Sequence, residues 1–253
     1  MILLECFIAE EDNLFLRTKL LRTYFDFIYN PVYDFTAAQR SLFQALQTKC
    51  IDKFTQFNEG DTVLCAGVGT GNEIVNILKR NNKVSVVGVD YSSTALHKAS
   101  KKALSIGQSI HVFNMDVQNL EFESGIFDKV LCIHVTDFLQ DNEKATAEIT
   151  RVLKRGGEFV ITYPSEKENS ELGINLLKDS LHQNLRSGNR IKGLTRFLAQ
   201  TMMGTVYLPL LLRSKRKCYS SEDLQRMFVK LVDGDFQIEA YPAYQDFIVY
   251  GRK

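Results

Sequence analysis

Ten residues, Val63-Leu64-Cys65-Ala66-Gly67-Val68-Gly69-Thr70-Gly71-Asn72, are the clearest indication of how this chain folds. An apolar run ends in three glycines spaced two residues apart, and an amphipathic segment begins directly after them. Glycine adopts backbone angles that other residues avoid and lets a ligand approach the main chain closely. The stretch therefore predicts a buried parallel strand that turns tightly into a helix beside a ligand site.

The spacing of the glycines separates the classes of cofactor that bind at such turns. The dinucleotide pattern G-x-G-x-x-G starting at Gly67 requires glycine at position 72, where this chain has Asn72. The pattern present is G-x-G-x-G, which resembles the first motif of class I S-adenosylmethionine (SAM)-dependent methyltransferases. The alternative interpretation is a strand-to-helix turn that binds no ligand.

Strands and helices alternate on both sides of this turn. Apolar runs predict seven strands, at 63–66, 84–90, 110–114, 130–134, 158–163, 236–240 and 245–250. Helical spacing predicts helices near 36–56 and 72–81, after Ser92, at about 142–154 and after Ser220. We therefore expect an α/β fold with a doubly wound, mostly parallel seven-stranded sheet. The tight connection at 241–244 predicts one antiparallel strand near the C-terminus, and a helical cap insertion is expected before Ser220.

Three local signals predict where helices begin or end. Asn30-Pro31 should break any helix, because proline lacks an N–H group and restricts the residue before it. The run Thr36-Ala37-Ala38-Gln39 fits a capping box and predicts the start of a helix. Gly156-Gly157 predicts the end of the helix at 142–154.

The composition fits one large α/β domain. The chain has 253 residues, 45% of them hydrophobic, and a formal net charge of +1, so its overall charge does not indicate a nucleic acid or membrane partner. Five scattered cysteines without C-x-x-C spacing indicate reduced thiols in a cytoplasmic protein, with no metal site. No segment has the pattern of a signal peptide or a membrane span. We expect an N-terminal helical lid at 1–57, a SAM-binding core at 58–164, a cap at 165–219 and core-completing elements at 220–253.

Polar residues follow the predicted strands at the edge where ligands bind in such sheets. Asp90 ends the second strand, where a carboxylate accepts hydrogen bonds from ribose hydroxyls; otherwise it is a helix N-terminal charge. Asp116 follows the third strand, where it can accept a hydrogen bond from the adenine amine; otherwise it is a solvated turn residue. The resemblance implies that SAM, and its product S-adenosylhomocysteine (SAH), contact Gly67, Gly69, Gly71, Asp90, Tyr91, Asp116, Val117, Cys132 and Tyr29.

Two positions of the family's motifs are not expected to contact the cofactor through their side chains. Most relatives have an acidic residue where this chain has Cys65, near the ammonium group of the cofactor's methionine part. Glu73, or a backbone carbonyl of the glycine loop, is the expected replacement. Asp128 resembles the fourth family motif, but it stands at the start of its strand and is expected to have a structural role.

Methyl transfer from a sulfonium requires alignment, a dry site and, for a weak nucleophile, a base. His134 is the first candidate for that base and His182 the second, although a histidine at a strand end is as often structural. Tyr29 and Tyr33 lie in a segment that resembles the aromatic lid of ubiquinone- and menaquinone-type methyltransferases; the alternative is aromatic packing of a helix. We expect His134 and Tyr33 to be catalytic. The loop 131–138 lacks the Asp/Asn-Pro-Pro-aromatic motif of methyltransferases that modify nucleic-acid bases or protein glutamine.

The segment from Ser180 to Ser221 has no acidic residue. It contains eight basic ones: Arg186, Arg190, Lys192, Arg196, Arg213, Lys215, Arg216 and Lys217. Apolar runs lie between them, which suits an interfacial helix on an anionic membrane or an acceptor tunnel with an anion-binding mouth. A cap helix with solvated basic ends is the plain alternative. RNA phosphates would also attract such a segment, but it shows no RNA-binding module, so no nucleic acid is expected.

The sequence thus predicts a SAM-dependent methyltransferase of the small-molecule type. The expected acceptor is a lipophilic or anionic compound methylated on carbon or oxygen, with a peripheral contact to anionic membrane through 186–217. The alternatives are a small-molecule N-methyltransferase, a protein of this fold that binds SAM without ordinary methyl transfer, and an RNA-binding methyltransferase.

Overall fold

Seven strands form one sheet in the computed structural model, which describes residues 19–20, 22–36, 41–166, 172–186, 190–205 and 217–253. The strands are β1 (Thr62–Ala66), β2 (Ser85–Asp90), β3 (His111–Asn114), β4 (Phe127–Cys132), β5 (Leu153–Pro164), β6 (Phe236–Tyr241) and β7 (Asp246–Arg252). Their order across the sheet is β3-β2-β1-β4-β5-β7-β6. Strands β1 to β5 are parallel, and β7 is antiparallel to both of its neighbours. The predicted fold class is confirmed.

Helices connect the strands and flank the sheet. They are α1 (Asn30–Thr36), α2 (Ser41–Ile51), α3 (Asn72–Arg80), α4 (Ser93–Ser105), α5 (Asn142–Val152), α6 (Leu172–Leu185), α7 (Arg190–Gly204) and α8 (Ser221–Leu231), with a π-helical turn Phe25–Tyr29 before α1. The predicted caps of two of them are confirmed. The Ser92 hydroxyl accepts a hydrogen bond from the Ala95 N–H, and Ser220 forms a capping box with Asp223. No helix of the described residues is long and apolar enough to cross a membrane.

The side chains of the central strand alternate between two cores. Val63 and Cys65 pack into one buried cluster, and Leu64 and Ala66 pack into the other, on the opposite face of the sheet. Both clusters contain residues that are almost fully buried. Such two-sided burial explains why the parallel strands are continuous apolar runs in the sequence. The strand order reverses at β1, which places a ligand crevice at the carboxyl ends of β1, β2 and β4.

The N-terminal helix predictions need correction. The helical path continues through Asn30-Pro31 instead of breaking, because proline fits the first turn of a helix, where its missing N–H would have no partner. A π-helical turn, Phe25–Tyr29, lies immediately before α1, and Asn30 keeps helical backbone angles. Thr36 ends α1 and does not begin the next helix, which starts at Ser41. The other capping-box positions, 37–39, lie outside the described residues.

The boundaries of β4 and α5 also differ from the prediction. Strand β4 starts at Phe127 and ends at Cys132, so His134 lies in the loop after the strand. Helix α5 ends at Val152, and Gly156-Gly157 lie inside the long strand β5. Pairing of Phe127 with Leu153 across a bulge extends β5 backwards over the glycines. Ladder hydrogen bonds therefore outweigh the local tendency of the glycines to terminate a helix.

Candidate functional site

The glycine loop between β1 and α3 has the backbone that its sequence predicts. Gly67, Gly69 and Gly71 have φ angles of 71°, 51° and 81°. A Cβ at Gly67 would collide with Val135, and one at Gly71 would lie 2.7 Å from Cα of Ala99. A Cβ at Gly69 would meet no heavy atom within 4 Å. Two of the glycines thus permit close packing, and the third borders open space that a ligand can approach.

Asp90 lies at the end of β2 and accepts two hydrogen bonds from the main chain. Its Oδ2 accepts from the Gly69 N–H at 2.8 Å, and its Oδ1 accepts from the Ser92 N–H at 2.8 Å. Burial raises the pKa of this carboxyl to about 6, although both N–H donors oppose the shift. Asp90 therefore connects the glycine loop to the end of β2, where ribose hydroxyls are expected.

Glu73, in the first turn of α3, brings a carboxylate to the same strand ends. Its Oε1 accepts a hydrogen bond from the Gln47 amide at 3.0 Å. Its negative charge adds to burial in raising the pKa of the thiols of Cys65 and Cys132, so it lies near the ends of β1 and β4. Desolvation raises the pKa of Glu73 itself to about 7, yet the side chain keeps some accessible surface. Glu73 is therefore a partly buried carboxylate near the carboxyl ends of the central strands.

The N-terminal segment 22–36, which belongs to the predicted lid and is called the lid below, contacts the end of β2 through Ser92. The Asn30 amide donates to the Ser92 hydroxyl at 2.7 Å, and that hydroxyl lies 2.5 Å from Oδ1 of Asp26. The same carboxylate oxygen accepts from the Thr94 N–H at 3.1 Å. Asp26 thereby caps the start of α4 from outside that helix.

A second set of contacts attaches the lid to the glycine loop. Oδ1 of Asp34 accepts from the Thr70 hydroxyl at 2.7 Å and pairs with Lys102 at 2.5 Å. The same ammonium donates to Thr70 at 2.9 Å and to Asn72 at 2.8 Å. The lid is thus held at both edges of the expected cofactor position.

Aromatic rings connect the lid to His134. Tyr29 and Tyr33 stack with centroids 5.3 Å apart, and Tyr33 contacts Phe43 at 6.2 Å. Phe43 lies 5.2 Å from the His134 ring, and Tyr244 lies 4.6 Å from it. The structure therefore connects Tyr29 and Tyr33 with the candidate base through Phe43, a residue that the sequence did not predict at the site.

His134 has an unusual backbone and a buried carboxylate partner. Its φ of 56° is one of two positive values among the described non-glycine residues. Its N–H donates to the Thr162 hydroxyl at 2.9 Å, and its Nε2 lies 2.6 Å from Oδ2 of Asp246. Asp246, at the start of β7, is 2% exposed. A strained backbone held beside a fixed histidine–carboxylate pair is characteristic of a functional position.

The positions of the other predicted site residues say less about a ligand. Tyr91 packs on Phe25 of the lid at 5.5 Å, and Asp116 is exposed and accepts from the Gln118 N–H. Val117 and Cys132 are buried in the core. His182 instead lines a surface groove on α6 with Lys178 and Arg186.

Asp128 has the structural surroundings expected for it. It accepts from the Thr62 N–H at 2.9 Å and pairs with Lys154, at the amino ends of the strands. A neighbouring lysine holds the pKa of this carboxyl below its usual value, although partial burial opposes the shift. Asp128 therefore lies at the edge of the sheet opposite to the candidate site.

Among the site residues that the sequence analysis does not name, Asp246 has a recognisable signal in the sequence. Asp246 follows the tight 241–244 connection and starts the predicted antiparallel strand. An antiparallel strand begins at the edge where its parallel neighbours end, so its first residue belongs at the ligand edge. Phe43 and Gln47 had no comparable signal, because their roles depend on how α2 packs.

The residues at this edge fit SAM. Gly69 borders open space, Asp90 supplies a buried acceptor, and Glu73 supplies an accessible carboxylate in surroundings that favour a cationic partner. Among the described residues, no group of three His, Cys, Asp or Glu side chains could hold a metal ion.

Comparisons with known proteins agree with this geometry. Residues 64–161 match the model of the family described as "Methyltransferase domain". The chain is 32% identical over 104 residues to the phosphatidylethanolamine N-methyltransferase of Cereibacter sphaeroides, covering 40% of this chain and 50% of that one. It is 32% identical over 133 residues to YrhH of Bacillus subtilis, described as a methyltransferase, covering 50% and 71%. It is 32% identical over 99 residues to the demethylmenaquinone methyltransferase of Thermus thermophilus, covering 39% and 45%.

The chain thus spans about half the length of the first of these relatives and more of the second. A solved SAM-dependent methyltransferase from Thermotoga maritima has the same fold, with a TM-score of 0.53 and 20% identity, covering 89% of this chain and 93% of that one. The motif, the strand order and these matches agree. The chain belongs to the class I SAM-dependent methyltransferase family.

Proposed function

We propose that this protein transfers the methyl group of SAM to oxygen or carbon of a lipophilic or anionic small molecule. The observation that carries the proposal is the His134–Asp246 pair at 2.6 Å, beside the lid and at the end of β4. Bound SAM supplies an electrophilic methyl group. A hydroxyl or carbon acceptor must also lose a proton, and this pair can take it.

The cofactor is assigned to the carboxyl ends of β1, β2 and β3. Gly67, Gly69 and Gly71 would give it access to the backbone, Asp90 would accept hydrogen bonds from the ribose and Asp116 one from the adenine amine. Tyr91, Val117, Cys132 and Tyr29 complete the proposed contact set. The open side of Gly69 and the buried carboxylate of Asp90 support this assignment.

Glu73 is proposed to replace the acidic residue that is missing at position 65. It lies near Cys65, and burial raises its pKa to about 7, which supports a role beside a cationic group. An ammonium group beside it would favour the ionised form. Lys102 and His134 also lower the pKa of the Glu73 carboxyl, as does the hydrogen bond that the Gln47 amide donates to it.

Glu73→Gln should therefore weaken SAH binding by about tenfold or more, because a hydrogen bond between charged groups is lost. Methylthioadenosine, which lacks the amino-acid part, should bind wild type and variant equally. Calorimetry in two buffers at pH 7 should also show proton release on SAH binding to wild type and not to the variant. Equal losses for both ligands would show a general disturbance of the site instead.

The base is assigned to His134, with Asp246 as a positioning residue. An ionised Asp246 favours the tautomer that carries its proton on Nε2, which leaves the lone pair on Nδ1. That nitrogen would accept the acceptor's proton while the new bond to the methyl carbon forms. Tyr33 lies one ring from His134 in the aromatic chain and is proposed to help cover the reacting groups.

The acceptor class is supported by chemistry and by the relatives. The aromatic walls at His134 suit an apolar molecule, and two of the relatives are named for lipids, phosphatidylethanolamine and demethylmenaquinone. The first of these is an N-methyltransferase, so nitrogen methylation is the second candidate. A lid, a core, a cap and completing elements at 1–57, 58–164, 165–219 and 220–253 remain the proposed division of the chain, in a cytoplasmic protein.

A pair of matched acceptors tests the reaction. With labelled SAM, we expect methyl transfer to an alkylated phenol such as nonylphenol, and much less to nonylaniline. Faster transfer to the aniline would favour the N-methyltransferase. SAM binding without transfer to either acceptor, or to a wider metabolite extract, would favour cofactor binding without ordinary methyl transfer.

A further inference from the structure

Helix α7 carries an apolar stripe on its outer surface. Ile191, Leu194, Leu198 and Met202 are spaced by three, four and four residues, which places them on one side of the helix. Their exposed fractions are 78%, 47%, 52% and 74%. A surface helix of a globular protein ordinarily turns such a stripe toward the core. Such an exposed stripe is typical of a surface that binds a partner or a membrane.

Polar contacts on the opposite side fix the rotation of α7. Gly193 faces α6 so closely that a Cβ would collide with the Asn184 carbonyl oxygen. Oε1 of Gln200 accepts from the Asn184 amide at 2.8 Å and from the Ser180 hydroxyl at 3.2 Å. The Gln200 amide donates to the Phe35 carbonyl at 2.8 Å. The helix cannot turn its stripe inward without breaking this buried polar network.

Basic residues are enriched in the part of the chain that carries the stripe. Exposed Lys192 lies beside Ile191, and the segment Ser180–Ser221 contains no acidic residue. Lys178 and His182 on α6 and Arg186 directly after it recur every four residues and line one groove with Ser41 of α2. The described helices thus combine apolar anchors with basic side chains, as interfacial helices on anionic membranes do. The basic residues Arg213, Lys215 and Arg216 and the apolar run 206–212 lie outside the described residues.

We propose that α7 lies on an anionic membrane surface, with Ile191, Leu194, Leu198 and Met202 in the interface. The inference rests on the proposed function in one respect: docking would let the enzyme take its lipophilic acceptor from the membrane. On the opposite side of α7, Gln200 donates to the Phe35 carbonyl, so the helix that carries the stripe also contacts the segment proposed to cover the cofactor site.

Vesicle sedimentation tests the membrane surface. Wild type should co-sediment with phosphatidylcholine vesicles that contain about 30% phosphatidylglycerol, and not with pure phosphatidylcholine. Binding should weaken as salt shortens the Debye length from about 10 Å. The triple variant Ile191→Ser/Leu198→Ser/Met202→Ser should bind at least roughly tenfold more weakly, because three apolar anchors are lost.

The control variant Leu104→Ser/Val229→Ser removes exposed apolar residues from α4 and α8 and should bind vesicles like wild type. SAH titration of every variant separates the two proposals: unchanged SAH affinity with lost sedimentation supports docking through α7. Vesicle binding without SAH binding would sustain the membrane surface and overturn the proposed function. Wild type that ignores anionic vesicles at low salt, a triple variant that still binds, or a dimer that only the triple variant abolishes would overturn the membrane proposal.

Discussion

His134→Ala should lower kcat by about a hundredfold or more while SAM affinity stays nearly unchanged, the usual loss when a general base is removed. Asp246→Asn should lower kcat by roughly tenfold or more, because the amide no longer favours the proton on Nε2. It should also alter the dependence of kcat on pH, which a purely structural role of Asp246 would leave unchanged. Steady-state rates with nonylphenol across the pH range measure both effects.

The control for this prediction is His97→Ala, which removes an exposed histidine from α4 and should leave kcat unchanged. Thermal unfolding must show that each variant folds. A His134→Ala variant with wild-type turnover would show that the acceptor needs no base at this position. Such a result would favour an amine nucleophile.

Asp90→Ala should weaken SAH binding by about 1.5–3 kcal/mol, the loss expected when hydrogen bonds to a charged acceptor disappear. The carboxylate has to be ionised to accept them, and its pKa is raised to about 6 by burial. Affinity of wild type for methylthioadenosine, whose binding should not depend on Glu73, should therefore be constant above that pH and fall as the pH drops through it. The Asp90→Ala variant should lack this decrease when both proteins are titrated by calorimetry.

Asp128→Ala provides the matched control for Asp90→Ala. Asp128 also accepts a backbone hydrogen bond, from Thr62, but at the amino ends of the strands. Its removal should leave SAH affinity within about twofold of wild type. An Asp90→Ala variant that folds and binds SAH as tightly as wild type would exclude Asp90 from the cofactor site.

The sheet and the glycine loop could be predicted because their signals are local and repeated. An apolar run followed by Gly67, Gly69 and Gly71 permits few structures, and two-sided burial makes each parallel strand recognisable. The boundaries were harder to predict. The capping pattern at Thr36 predicted the start of a helix, but α1 continues past Pro31 and ends at Thr36. Gly156-Gly157 predicted the end of a helix, but pairing with β4 places these glycines in a strand.

The partners within the candidate site depend on contacts between distant parts of the chain. Asp246 and His134 are 112 residues apart in the sequence but in contact in the structure. They meet because β7 runs antiparallel to β5, and this register pairs Asp246 with Pro164, at the edge of the sheet where β5 ends. Glu73 could be named from the absence of an acid at Cys65, but its partner Gln47 depends on the packing of α2 on α3. The outward stripe of α7 likewise becomes visible only when the buried side of that helix is known.

Direct titration of the wild-type protein with SAH and, separately, with NADH tests the central claim. The glycine spacing, Asp90 and the open side of Gly69 predict that one SAH binds per chain and that NADH produces no measurable heat. NADH binding without SAH binding would contradict the assignment of the cofactor, and with it the proposed methyl transfer.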